Sequence, residues 1–182
     1  MEFEPTRLPE VILIRPRLFG DPRGFFFEAW HEERFRRAGI TGRFVQDNHS
    51  HSAQATLRGL HFQIRQAQGK LVRVARGAVF DVVVDVRRSS SRFGQWIGRE
   101  LNDTHHEMLW VPPGFAHGYL ALSATVDFLY KCTDYYAPRH ERAVRWDDPD
   151  IGIQWPMSAG SHPLLSAKDA AAPSLKDAET FP

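Results

Sequence analysis

An all-β fold, a sandwich or a barrel, is what the sequence predicts for these 182 residues, and three observations predict it. Strand-like segments recur at short intervals from Arg43 to Thr133, most of them bounded by Gly, Pro, Asn or Ser. One of them alternates cleanly, with Phe80, Val82, Val84 and Val86 on one face and Asp81, Val83 and Asp85 on the other. A helix pattern appears in a single central segment, so the intervening helices that a doubly wound sheet needs are missing.

Taken in order, Val11–Ile14 is a short apolar strand closed by Arg15-Pro16. A turn follows at Gly20-Asp21-Pro22-Arg23-Gly24, and Phe25–Trp30 reads as the next strand. His31–Ala38 is the helix, charged on one side with Phe35 on the other, and Gly39 is its C-terminal stop. The strands expected after it are Phe44–Asn48, Leu57–Phe62, Lys70–Ala75, Ala78–Arg87, Trp96–Leu101, Met108–Val111, Gly118–Leu122 and Thr125–Thr133. The tail from Ser158 is rich in Ala, Ser and Pro and reads as coil with helical turns around Ser166–Ala172. Residues 1–182 make one domain on this reading, with 174–182 loosely ordered.

Bulk composition excludes some classes of function. With 23 basic against 22 acidic residues, no general attraction to nucleic acid or to an anionic membrane follows. The single cysteine, Cys132, rules out an internal disulfide framework and reads as a small buried hydrophobe in a strand. There is no apolar run of bilayer length, and MEFEPTRLPE lacks the basic region and apolar core of a signal peptide. A soluble, cytoplasmic protein is expected.

The stretch Thr56–Ala75, TLRGLHFQIRQAQGKLVRVA, carries ionisable groups where aliphatic ones are ordinary. Lys70 shares a strand face with Val72 and Val74, a costly position unless something negative meets it. His61 lies between Leu60 and Phe62, directly after Gly59, where a missing side chain permits a bulge. A histidine so placed is ordinarily a packed, hydrogen-bonded core residue. Its company changes the reading: Arg58 and Lys70 are near in sequence, His117 lies in PPGFAHGY, and Tyr130 shares a face with Val126, Phe128 and Cys132. An interior with two histidines, a lysine and a tyrosine is expensive for stability alone and reads as a site. Arg58 and His61 are three apart, so both line one cavity only if Gly59 bends the strand.

Nine histidines also raise the question of a metal. His49-x-His51 can chelate from a strand, but its polar surroundings (DNHSHSAQ) read as a solvated loop, and His105-His106 falls in a turn-like NDTHHE. No metal is expected.

Eight motifs together carry a resemblance. FGDPRGFFFE (Phe19–Glu28), FVQDNHS (Phe44–Ser50), LRGLHFQ (Leu57–Gln63), GKLVRV (Gly69–Val74), VPPGFAHGY (Val111–Tyr119), FLYKCTDYYAP (Phe128–Pro138), RWDDPDIGIQWP (Arg145–Pro156) and LSAKDAAAP (Leu165–Pro173) resemble the dTDP-4-dehydrorhamnose 3,5-epimerase family over nearly the whole chain. The resemblance implies a cupin-type double-stranded β-helix, or jelly roll, with short peripheral helices. It also implies a homodimer that partly exchanges N-terminal strands. Metal-binding cupins carry two histidines one residue apart, whereas Phe62 and Gln63 follow His61 here.

By the same resemblance His61 is the general base, Asp169 the carboxylate that orients it, Tyr130 the general acid on the opposite side of the sugar, and Lys70 the cation beside the enolate oxygen. Arg23, Glu28, Gln46, Asn48, Arg58 and His117 match positions that hold the nucleotide, its diphosphate or the sugar. Phe25 or Phe26 would stack on thymine, and Tyr136 and Lys168 match the site rim. His51, His105 and His106 match nothing in the pattern.

The implied reaction is epimerisation at carbons 3 and 5 of a dTDP-linked 4-keto-6-deoxy-hexose. It needs no cofactor, because the ketone is already the electron sink. The alternatives are a mono-epimerase at one of those carbons, a sugar 3,4-ketoisomerase, a cupin that binds without turnover, and a metal-dependent cupin.

Overall fold

Strands dominate the computed structural model, which describes residues 1–158 and 160–182. The chain runs through β1 (Glu2–Pro5), β2 (Ile12–Arg15), β3 (Phe19–Asp21), β4 (Gly24–Phe26), helix α1 (Glu32–Arg37), β5 (Gln46–Ala53), β6 (Leu57–Gln63) and β7 (Lys70–Arg76). It continues through β8 (Ala78–Asp85), β9 (Trp96–Asn102), β10 (Met108–Val111), β11 (Phe115–Ala121), β12 (Thr125–Cys132), β13 (Glu141–Ala143) and α2 (Ala167–Ala170). Two antiparallel sheets result, one ordered β1-β2-β10-β7-β12-β5 and the other β13-β6-β11-β8-β9, while β3 and β4 form a separate hairpin. This is the all-β architecture that the sequence predicts, in the jelly-roll form that the resemblance implies.

Strand alternation sorts the core into layers. Val72, Val74, Leu109, Val126 and Phe128 of the first sheet meet Val79, Val83, Leu101 and Phe115 of the second between the sheets. The opposite set on β8, Val82 and Val84, faces outward and is covered by Ile151, Leu175 and Ala178 from the C-terminal segment. On the outer face of the first sheet, Ile14, Leu71, Met108 and Trp110 are covered by Phe35 of α1 and by Ile40. The helix ends where Gly39 takes a φ of +85°. Cys132 is buried in β12, as its strand position implied.

Several expectations need correction. Phe25–Trp30 is strand only at its start: pairing stops at Phe26, and Phe27–Trp30 is irregular. β1 and β13 escaped notice because EFEP and ERA carry no apolar alternation; their pairing with β2 and β6 is supplied by the neighbours. β5 continues to Ala53, so His49 and His51 lie on a strand, where Asp127 Oδ1 accepts a hydrogen bond from each, at 3.1 and 2.8 Å. His106 is buried, with its ring stacked on Phe27, rather than solvated. Nor is the tail loose: Leu175, Ala178 and Thr180 are buried, and Phe181 bridges to Arg87 and packs on Phe62. Among the described residues, no helix is long and apolar enough to cross a membrane.

Candidate active site

The open end of the space between the sheets is a cavity of about 420 Å³. Its lining comes from both sides: Arg58, His61 and His117 from the five-stranded sheet, and Gln46, Asn48, Lys70, Phe128 and Tyr130 from the six-stranded one. Tyr136, Lys168 and Asp169 close the rim. A larger, more open cleft of about 790 Å³ runs along Leu8, Phe93, Trp96 and Leu175, but no histidine lines it.

Strand β6 delivers two of these groups by breaking its own regularity. Arg58 pairs with Tyr119 and His61 with His117, so Gly59 and Leu60 oppose Gly118 alone. That bulge turns side chains three apart toward one cavity. Gly59 holds a φ of +134°, and a Cβ on it would lie 2.5 Å from the Gly118 Cα, so the bend demands glycine. Gly59→Ala should lose roughly 2–5 kcal/mol from strain and overpacking together. Thermal unfolding checks this, and a melting temperature equal to that of the parent would mean that the bulge tolerates a side chain.

His61 Nε2 donates to Asp169 Oδ1 at 2.5 Å. Asp169 is itself fixed on α2, whose N-cap Ser166 donates from Oγ to Oδ2 at 2.8 Å and accepts the Asp169 N–H at 3.1 Å. Burial alone would raise the Asp169 carboxyl, but the His61 hydrogen bond and charge, with Ser166 and the Gly59 N–H, hold it below the usual aspartate value. A carboxylate accepting from Nε2–H leaves the imidazole lone pair on Nδ1, the arrangement of an oriented proton acceptor.

Across the cavity, burial pushes the Tyr130 phenol above its ordinary value, with Cys132 and Tyr119 adding to that and Arg58 opposing it. The phenol therefore keeps its proton through neutral pH. Lys70 enters from β7, and its Nζ donates to the His61 carbonyl at 3.4 Å. Burial lowers the Lys70 ammonium from its ordinary value, against the pull of Cys132, Glu141 and Asp81.

Around these, Arg58 is braced by Nε donating to Ser52 Oγ (3.0 Å) and a terminal nitrogen donating to the His51 carbonyl (3.1 Å). Gln46 Nε2 donates to Asn48 Oδ1 at 3.0 Å, and Gln46 Oε1 accepts the Tyr136 N–H at 2.8 Å. At the mouth, Glu141 accepts from the Tyr136 hydroxyl (2.8 Å) and pairs with Lys168.

Ten of the fourteen residues singled out by sequence thus converge on one cavity. Arg23, Phe25, Phe26 and Glu28 do not: Arg23 pairs with Asp21, Glu28 pairs with Arg34, and Phe25 and Phe26 stand 61 and 70 % exposed on the β3–β4 hairpin. The exposed aromatic ring at the rim of this chain's own cavity is Tyr136, in place of Phe25 or Phe26. Sequence reading passed over Asp81, Glu141 and Ser166. Asp81 carried a signal, a carboxylate alternating with the buried Val79 and Val83; Glu141 lay in a polar stretch that carried none. Among the described residues, no cluster of three or more His, Cys, Asp or Glu side chains has the arrangement of a metal site.

Comparison with known proteins places the chain in a family. The family model for dTDP-4-dehydrorhamnose 3,5-epimerase matches residues 5–177. A dTDP-4-dehydrorhamnose 3,5-epimerase of Pseudomonas aeruginosa is 54 % identical over 180 residues, covering 97 % of this chain and 98 % of that one. A solved Legionella pneumophila dTDP-6-deoxy-D-glucose-3,5-epimerase, in complex with dTDP-4-keto-L-rhamnose, superposes with a TM-score of 0.93 at 48 % identity, over 96 % of this chain and 93 % of that one. A 3′-monoepimerase from Streptomyces bikiniensis, in complex with dTDP-quinovose, is more distant, at 34 % identity and a TM-score of 0.88 over 94 % of this chain and 87 % of that one. The chain belongs to the dTDP-4-dehydrorhamnose 3,5-epimerase family.

Proposed function

We propose that the chain inverts carbons 3 and 5 of dTDP-4-dehydro-6-deoxy-D-glucose, giving dTDP-4-dehydro-L-rhamnose. The observation that carries this is the placement of His61, backed by Asp169, on one sheet and of Tyr130 on the facing sheet, with Lys70 lining the same cavity. Both carbons flank the ketone, so loss of a proton from either moves an electron pair onto the carbonyl oxygen. His61 Nδ1 takes the proton, and Asp169 stabilises the imidazolium. The Lys70 ammonium meets charge that exists only once the enolate forms, so it favours the transition state over bound substrate. Tyr130 returns a proton from the other face, and the carbon leaves inverted.

Incubation with the substrate in heavy water tests the reading. Deuterium at both carbons with an L-configured product supports it. Label at one carbon alone makes the protein a mono-epimerase, and no label makes it a binding cupin.

Arg58, with Gln46, Asn48 and His117 on the cavity walls and Tyr136 and Lys168 at the rim, holds the nucleotide sugar. Arg58 is exposed and braced, a guanidinium ready for a diphosphate. Arg58→Ala should therefore raise KM by about tenfold or more, with kcat changed far less. An unchanged KM would remove Arg58 from the binding surface.

The exposed hairpin with Arg23, Phe25 and Phe26, together with Glu28 just after it, serves the cavity of a second copy in a homodimer, since it lies outside its own. Light scattering that finds only monomers at assay concentration would contradict that. Residues 1–182 act as one catalytic domain, and a cytoplasmic setting suits the free thiol of Cys132.

A further inference from the structure

His106 is one of the histidines that match nothing in the family pattern, and it lies off the cavity lining. It is buried even so, at a φ of +52° that residues other than glycine rarely take. The turn between β9 and β10 sets it there. Asn102 Oδ1 accepts the N–H of Thr104 at 3.0 Å and of His105 at 2.9 Å, and the Asn102 carbonyl accepts the His106 N–H at 3.1 Å. Asparagine or glycine suits such a backbone at least as well, and what histidine adds is a ring.

That ring is the seat of the β3–β4 hairpin. Its centroid lies 4.5 Å from the Phe25 ring and 5.0 Å from the Phe27 ring, and those two rings are 6.0 Å apart. Phe26, between them in sequence, meets its ladder partner Phe19 instead, at 6.5 Å, and Arg17 lies over the Phe19 ring at 4.9 Å. Ion pairs tie the chain on either side of the hairpin. Arg15 Nε meets Glu107, the residue after His106, at 2.9 Å, and Glu28 meets Arg34 of α1 at 2.9 Å. Between those ties the ring stack holds the hairpin by one face and leaves Phe26 and Arg23 in solvent.

We propose that His106 is a positioning residue: by holding Phe25 and Phe27 it fixes the hairpin to its own chain, with Phe26 and Arg23 presented to the cavity of a second copy. The proposal rests on the reading that this hairpin serves a homodimer partner. The imidazole acts here as a ring packed on rings, so a phenyl group in its place can do the same.

Two variants isolate the ring. His106→Asn keeps a residue that tolerates positive φ and removes the ring, while His106→Phe puts a ring back. Hydrogen–deuterium exchange of residues 19–26, read by mass spectrometry without substrate, should quicken by about fivefold or more in the asparagine variant. In the phenylalanine variant it should return to within about twofold of the parent. In turnover of dTDP-4-dehydro-6-deoxy-D-glucose, His106→Asn should raise KM by about fivefold or more with kcat within about twofold, and His106→Phe should restore KM. A side chain that merely filled space in the β9–β10 turn would lower the melting temperature without that split. Unchanged exchange or unchanged KM in folded His106→Asn overturns the proposal, as does a phenylalanine variant that behaves like the asparagine one.

Should His106→Asn fail to fold, Phe27→Ala takes the stack apart from the other side, and the same two readings decide. Light scattering separates the two kinds of failure. A monomeric parent sinks the second-copy reading and the proposal with it, whereas a dimeric parent whose hairpin exchange does not move in the variants sinks the proposal alone.

Discussion

Replacing His61 with alanine should reduce kcat by about 10²- to 10⁴-fold, the range for a positioned acid or base, with dTDP-sugar affinity preserved within a few-fold. The imidazole reaches the cavity at one edge and Asp169 at the other, so its loss removes the proposed proton acceptor and leaves Arg58, proposed to grip the diphosphate, in place. Deuterium wash-in at both carbons should fall with kcat, since abstraction precedes every later step. The effect on folding is small, because His61 is only half-buried and Leu60 and Phe62 still anchor the strand in the core. Calorimetric affinity with single-turnover exchange checks both halves. A rate close to that of the parent would move the base elsewhere.

Tyr130→Phe should separate two events that the parent couples. The variant keeps the ring that packs against Phe128 and loses the hydroxyl facing the cavity. Inversion then drops by about 10²- to 10⁴-fold. Deuterium exchange with retained configuration persists, because His61 still removes the proton and hands it, or a solvent deuteron, back to the same face. Proton NMR of recovered substrate distinguishes the two outcomes. Equal loss of exchange and inversion would show that Tyr130 helps abstraction instead of supplying the opposite face. The high proton affinity of the buried phenol suits it to this role, because it remains a donor where an exposed tyrosine would begin to ionise.

Much of the site was legible because burial makes misplaced chemistry visible. Tyr130 lies two residues from Phe128 and from Cys132, Lys70 shares a face with Val72 and Val74, and His61 sits between Leu60 and Phe62, placements that water-facing strands do not produce. The same logic applied to Asp81 and would have found it beside Val83. Asp169 was reached only by resemblance: SAKD is an ordinary helix start, and nothing local ties it to a histidine 108 residues earlier. Arg23 through Glu28 went the other way, since their motif is intact but the hairpin that carries them lies outside this chain's cavity.

What the sequence determined by itself is the alternation of strands and the chemical types on their inner faces, because a strand's period of two is local and survives without knowledge of its partners. Tertiary structure alone decided which groups meet. The β6–β11 bulge at Gly59 brings Arg58 and His61 to one side, and the pairing of those strands sets His61 beside His117. Closure of the two sheets then puts Tyr130 across from them. Those contacts join residues remote along the chain, and strand register, which fixes them, is settled by packing between sheets.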